Sequence, residues 1–341
     1  MTLVGGHPDT PVVGQLLSDN LAILTVCRTS HNREGCTVTE TREPTPLTPL
    51  SWGRRYLMCR PEHFRVDYAI NPWMDIDSPV DPDRALAQWD HLAATIEEAG
   101  AVVERIAQLP EAPDMVYAMN YGLVDGDHVA ITSFRHGERA VEAEAAEWWF
   151  GEAGMRTSPV ADSGAGSFEA GDAFLVGDSL LVAAGPRTDL ATHDVLSRTL
   201  GVKVATVGIV HPALYHLDLS FCPLDGRRAI VAPDAWDAAG RATVAGLVPE
   251  PLVLDQDEAF TFAANSVVVG DVVVMPDGVP TRVTRQLERW GFTVATVDVS
   301  ELHKGGGSVR CMTLPLDTVL DDARLPVVRE QRPGSGELVP A

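Results

Sequence analysis

A helical pattern that ends in glycine and runs at once into a β-branched strand recurs along this chain, and no other feature restricts its fold as strongly. It reads Glu97-Glu-Ala-Gly100-Ala-Val-Val, Gly151-Glu-Ala-Gly154-Met-Arg-Thr, Ser197-Arg-Thr-Leu-Gly201-Val-Lys-Val and Glu288-Arg-Trp-Gly291-Phe-Thr-Val, with a weaker copy at Val244-Ala-Gly246-Leu-Val. The glycines at 100, 154, 201, 246 and 291 are 54, 47, 45 and 45 residues apart. Each suits a left-handed helix C-cap, where a side chain would clash with the backbone. Leu86, Trp89, Leu92, Ala93 and Ile96 fall three to four apart, as one buried helix face requires.

A second element keeps step with the glycines, read as a short strand that carries polar residues. Its copies are Met115-Val-Tyr-Ala-Met-Asn120, Ser167-Phe-Glu169-Ala-Gly-Asp172, Tyr215-His216-Leu-Asp218, Thr261-Phe-Ala-Ala-Asn265 and Val309-Arg-Cys311-Met-Thr. Five α/β units of roughly 50 residues account for 58–324. Polar residues at one phase of a repeat converge on one end of a pseudo-symmetric ring; an α/β solenoid or a doubly wound sheet is the alternative. Against a dinucleotide-binding sheet, no GxGxxG or GxxxxGK[ST] loop occurs.

The ends read differently. Glu40-Thr-Arg-Glu-Pro44-Thr-Pro46-Leu-Thr-Pro49 is polar and proline-spaced, which makes residues 1–55 an expected N-terminal extension, partly disordered. Residues 325–341 are an expected frayed tail. With 26 basic and 48 acidic side chains the formal charge is −22, so nucleic acid and anionic membrane are repelled and a cationic small molecule is favoured. No apolar run reaches the roughly 20 residues of a membrane-spanning helix. Five cysteines, odd in number and irregularly spaced, argue against a disulfide framework and for the cytoplasm. Cys27, His31 and Cys36 fit no zinc spacing, so no metal is expected. His31, His63, His128 and His303 read as surface or local structural residues, His303 being notable for bordering a glycine-rich loop. Trp148-Trp149 reads as packing.

The chemistry concentrates in Lys304-Gly305-Gly306-Gly307-Ser308-Val309-Arg310-Cys311-Met312-Thr313. Consecutive glycines let backbone approach a ligand closely. A cysteine just beyond such a loop is a candidate nucleophile, and equally a buried structural thiol. On a strand, His216 and Asp218 share a face. Glu169 and Asp172 flank a small-residue turn. Together these residues make a Cys–His–carboxylate set spread over successive units.

Phe168-Glu-Ala-Gly-Asp172, His216-Leu-Asp218 and Gly305-Gly-Gly-Ser-Val-Arg-Cys311-Met-Thr313 resemble the three catalytic signatures of the guanidino-modifying (pentein) superfamily. Cys59-Arg-Pro-Glu-His63, Ile70-Asn-Pro-Trp-Met74 and Phe134-Arg-His-Gly-Glu-Arg139 are similar to its dimethylargininase and arginine-dihydrolase branch. The resemblance covers about residues 56–320. Its fold would be α/β, a five-bladed pseudo-fivefold ββαβ propeller over residues 56–324.

By resemblance, Cys311 is the nucleophile, His216 the general acid/base and Glu169 the residue that orients His216. Asp218 grips the guanidinium with Asp172 beside it, Asn120 and Asn71 contact the substrate, and Arg135 holds its carboxylate. Ala170 stands where a second glycine is more usual. No cofactor is implied. The activity implied is hydrolysis of guanidinium C–N bonds through a covalent thiouronium, as a dimethylargininase or an arginine dihydrolase. An amidinotransferase and a catalytically silent binding protein of the same fold are the alternatives.

Overall fold

The computed structural model describes residues 46–325 and, as backbone only, three earlier strands, Val12–Ser18, Leu21–Cys27 and Val38–Glu40. These three form an antiparallel sheet in sequence order. The rest of the expected N-terminal extension before residue 46, including His31 and Cys36, lies outside the described residues, as does the tail beyond 325.

Five further three-stranded sheets share one plan. Two antiparallel strands are followed by a helix, which returns the chain to a third strand parallel to the second. In the unit after Asn120 the strands are Gly122–Asp125, His128–Ile131 and Arg156–Pro159, with helix Ala140–Glu152 between the last two. The next unit repeats this with Ala173–Val176, Ser179–Ala184, helix Ala191–Leu200 and Val204–Gly208. The two units that follow place their helices at Ala238–Leu247 and Thr281–Arg289.

The remaining sheet is assembled from both ends of the described chain. Leu314–Pro315 pairs antiparallel with Arg55–Cys59, aligning Leu314 with Leu57. Arg55–Cys59 pairs in parallel with Val102–Ile106 after helix Pro82–Glu98. Five such sheets fit a pseudo-fivefold arrangement closed by pairing its last strand with its first.

The helix Pro82–Glu98 begins where Asp81 accepts a hydrogen bond from Arg84 N at 3.1 Å and proline occupies the first turn. Trp89, Leu92, Ala93 and Ile96 are buried as their spacing requires, against Tyr56, Met58 and Val103, while Leu86 is half-buried. Gly100, Gly154, Gly201 and Gly291 all have positive φ. Gly246 does not serve as a cap: it lies inside the helix Ala238–Leu247, whose cap is Val248.

The polar segments differ from expectation. Three of the five contain short 3-10 turns that precede the first strand of a unit, at Ala118–Tyr121, Ala170–Asp172 and Leu217–Leu219, and those at Asn265 and Cys311 are turns without helix or strand. Buried polar side chains compete with ladder pairing for backbone groups, and a tight turn directs several of them to one point. Ordered packing begins before residue 56, since Trp52 is buried. Trp149 packs edge-on to Phe150 at 5.3 Å, but Trp148 is 66% exposed and packs little, contrary to expectation. No helix among the described residues is long and apolar enough to cross a membrane.

Candidate active site

The polar turns bring their side chains to one narrow cavity, lined among others by Asn71, Asp114, Asn120, Arg139, Arg187, His216 and Cys311. The glycine-rich loop forms one wall. A Cβ on Gly305 or Gly307 would overlap the Tyr117 ring, so only glycine lets this backbone lie there. Across the cavity, residues 60–80 run without helix or strand. Asn71 Nδ2 donates to Gly305 O at 3.0 Å, Trp73 Nε1 to Ala213 O at 2.8 Å, and Arg187 donates to Ile70 O at 2.9 Å.

Cys311 Sγ lies 3.2 Å from Asp218 Oδ2 and 3.2 Å from Asn265 Nδ2. All three residues are buried. Burial, then the Asp218 charge, hold the thiol well above its ordinary range. Burial also raises the Asp218 carboxyl from 3.8 to about 6, against the lowering effects of the Cys311 hydrogen bond, Arg310 and Asn265. Asp218 Oδ1 has no hydrogen-bond partner among the described residues.

His216 Nε2 is 2.8 Å from Glu169 Oε2, which also accepts from Arg187 Nη1 at 3.1 Å. Burial opposes the Glu169 charge, but Arg187, His216 and Arg139 outweigh it and hold the carboxyl well below the usual range. A carboxylate that stays ionised fixes the imidazole's orientation. Asn120 Oδ1 accepts from Gly171 N at 3.0 Å. A Cβ on Gly171 would sit 2.7 Å from that oxygen and 3.3 Å from Asp218 Oδ2, which is why this turn keeps its glycine while Ala170 packs in the core.

Two expected positions need correction. Arg135 does not line the cavity: its exposed side chain pairs with Asp189 at 2.5 Å, and only its backbone N–H reaches Glu169, at 3.1 Å. Four residues later, Arg139 turns inward under Phe134, 4.5 Å from the ring centroid, and binds Glu142 through Nε and Nη2 at 2.9 and 2.7 Å. Asp172 also stays out of the cavity, with Oδ1 accepting from Leu217 N at 2.9 Å, so it anchors the turn that follows His216. His303 is no surface residue: it is stacked on Phe262 at 4.5 Å and 2.9 Å from Ser308 Oγ, with burial lowering it to about 4.

Sequence reasoning gave no site role to Asp114, Arg139 or Arg187, and read Asn265 only as a polar position of the repeat. Asp114 is buried with Oδ1 unpartnered among the described residues, while Oδ2 accepts from Tyr68 Oη at 3.0 Å. Arg139 and Arg187 each follow the second strand of their unit, a shared phase that could have found them. No group of His, Cys, Asp and Glu among the described residues could hold a metal ion.

A family model described as N,N dimethylarginine dimethylhydrolase, eukaryotic, matches residues 57–318. The chain belongs to this dimethylarginine dimethylhydrolase family. It is 38% identical over 273 residues to the N(G),N(G)-dimethylarginine dimethylaminohydrolase of Mycobacterium tuberculosis, covering 80% of this chain and 88% of that one. The bifunctional arginine dihydrolase/ornithine cyclodeaminase ArgZ of Synechocystis is 34% identical over 285 residues, which span only 40% of that protein. The solved N-terminal domain of ArgZ, bound to product, superposes with a TM-score of 0.73 at 33% identity, covering 77% of this chain and 97% of the domain. A second structure of that domain is covalently bound to a reaction intermediate. Like other members of the dimethylarginine dimethylhydrolase family, the chain is an amidine hydrolase with the pentein-type α/β fold.

Proposed function

We propose that this chain hydrolyses the guanidinium of an arginine-type amino acid, with Cys311 as nucleophile, His216 as acid and base, and dimethylarginine as the substrate, giving citrulline and dimethylamine. The observation that carries the reading is that Cys311, held by Asp218, and His216, paired with Glu169, line the same buried cavity. The five units form a propeller over residues 56–324, with the cavity at one end of its axis.

A guanidinium is a poor electrophile because its charge is spread over three nitrogens. Asp218 binds its N–H groups, localises that charge and fixes the central carbon near the sulfur. The arriving cation also favours ionisation of the thiol. The thiolate attacks, and protonated His216 delivers its proton to the departing amine. A thiouronium stays on Cys311. Neutral His216 then takes a proton from water, whose oxygen displaces the sulfur and leaves a ureido product.

Asp114 and Arg139 suit the amino-acid head group. The unpartnered Asp114 Oδ1 offers an acceptor to the ammonium, and Arg139, itself paired with Glu142, lines the cavity beside it as a positive group facing the carboxylate.

Arginine dihydrolysis, giving ornithine, ammonia and carbon dioxide, is the second reading. Asn120 favours it, since a neutral amide there leaves a ureido group free to accept a hydrogen bond during a second hydrolysis.

Product analysis by mass spectrometry separates these. The protein is incubated with asymmetric dimethylarginine or with L-arginine, beside Cys311→Ser. Citrulline from dimethylarginine supports the first reading and ornithine from arginine the second. Full turnover by Cys311→Ser would remove the whole assignment. Consumption of neither substrate would bring amidino transfer or a binding role forward.

A further inference from the structure

We infer that Asn265 is a further catalytic residue, one that donates to the Cys311 sulfur the hydrogen bond that stabilises its thiolate. The inference rests on the assignment of Cys311 as nucleophile.

Asn265 is fully buried, so each face of its amide must be satisfied within the protein. One end accepts from Arg310 N at 3.0 Å and from Cys311 N at 3.1 Å. Both partners are backbone donors, so that end is the oxygen. The other end lies 3.0 Å from the Asp218 carbonyl, which only accepts, so that end is the NH2 group. The network thus fixes the amide's orientation, and the second N–H of Nδ2 is left for the sulfur at 3.2 Å.

The sulfur therefore has two side-chain neighbours of opposite character. Asp218 Oδ2 accepts from the thiol and favours S–H, whereas Asn265 donates and favours S⁻. When a guanidinium takes over Asp218, the acceptor is withdrawn and the Asn265 donor stays. The same amide holds the backbone N–H of the nucleophile itself, so donor and sulfur cannot drift apart.

The chain pays for this placement with strain. Phe262 has φ of 59°, the only positive φ outside glycine among the described residues. Its carbonyl accepts from Asn265 N at 2.8 Å, and its ring is pinned against His303 and Trp73.

The test measures ionisation of Cys311 in the full chain by the pH dependence of alkylation by 2-chloroacetamidine, whose cation takes over Asp218 as the substrate would. Trypsin releases residues 311–324, which hold no other cysteine, so the label is read without interference. In Asn265→Asp, Oδ1 still accepts both backbone N–H groups, but a carboxylate oxygen faces the sulfur. The alkylation midpoint is expected to rise by about one pH unit or more, with kcat falling at least about tenfold and KM little changed. Asn265→Ala should raise the midpoint too. An unchanged midpoint in either variant, melting as the parent does, overturns the inference. If both variants unfold, the parent protein decides. Its Asn265 side-chain amide resonance must titrate with Cys311 and stay fixed in Cys311→Ser, and an amide signal blind to that titration sinks the idea. Activity surviving in Cys311→Ser would defeat the proposed function instead.

Discussion

The Cys311 sulfur and Asp218 Oδ2 are 3.2 Å apart in a pocket that excludes water from both, so the empty site holds one proton between a thiol and a carboxylate that each resist charge. Substrate settles the matter, because a bound cation favours both negative forms. On the proposed function, with Cys311 as nucleophile, neutral compounds therefore react more slowly there than a cation that binds Asp218. Labelling by a chloroacetamidine should outpace that by chloroacetamide by at least about tenfold at pH 7. Equal rates at Cys311 would contradict this account.

The raised Asp218 carboxyl sets the acid side of activity. Since the group must be ionised to hold a guanidinium, kcat/KM should climb as pH rises through about 6. A profile flat from pH 5 to 8 would show that Asp218 does not control binding.

The same shift has a stability consequence of opposite sign. A carboxyl raised from 3.8 to about 6 in the folded protein favours the fold fully below about pH 4, and this contribution is lost as pH rises through 6. Asp218→Asn escapes the loss. Its melting temperature relative to the parent should improve between pH 4 and 7.5 by several degrees, corresponding to about 3 kcal/mol, while turnover disappears. A constant difference across that range would refute the argument.

Arg310 stands beside the nucleophile as a buried cation, its guanidinium carbon 5.2 Å from the ring centroids of both Trp52 and Phe174, with Nε unpartnered among the described residues. It makes no ion pair among the described residues, yet its charge lowers the Asp218 carboxyl. Arg310→Met should preserve or raise the melting temperature, since an apolar side chain suits that slot. It should also move the acid limb of kcat/KM to higher pH. A melting point unchanged or raised with the limb in its old place would remove Arg310 from the electrostatics of the site.

Asp114 is expected to select amino-acid substrates. In Asp114→Asn, KM for an α-amino acid guanidine should rise about tenfold or more, while a guanidine lacking the amino and carboxylate groups keeps its kcat/KM. A parallel loss on both compounds would make Asp114 structural.

The repeat period and most of the candidate site residues could be read along the chain because both leave local traces. A glycine at a left-handed cap is a local requirement, and Gly100, Gly154, Gly201 and Gly291 met it. Cys311, His216 and Asn120 line one cavity, and Glu169 and Asp218 touch them. Side-chain direction in a 3-10 turn is not local in that sense. Whether Arg135 or Arg139 enters the cavity depends on Phe134 and Glu142 closing over the latter, and Asp172 was diverted by one backbone N–H of Leu217. Asn265 was visible as a polar position of the repeat and Arg187 only by its phase after a strand, but the contacts of both come from other units.

The strand that follows Cys311 is also the one that closes the ring, through Leu314 opposite Leu57. Cys311 thus arrives last, on the segment that pairs the two ends of the described chain, whereas Asn120, Glu169 and His216 are all made earlier. A nascent or shortened chain that lacks this final stretch can neither complete its fifth sheet nor supply Cys311. Closing the last sheet and bringing in the proposed nucleophile are one event.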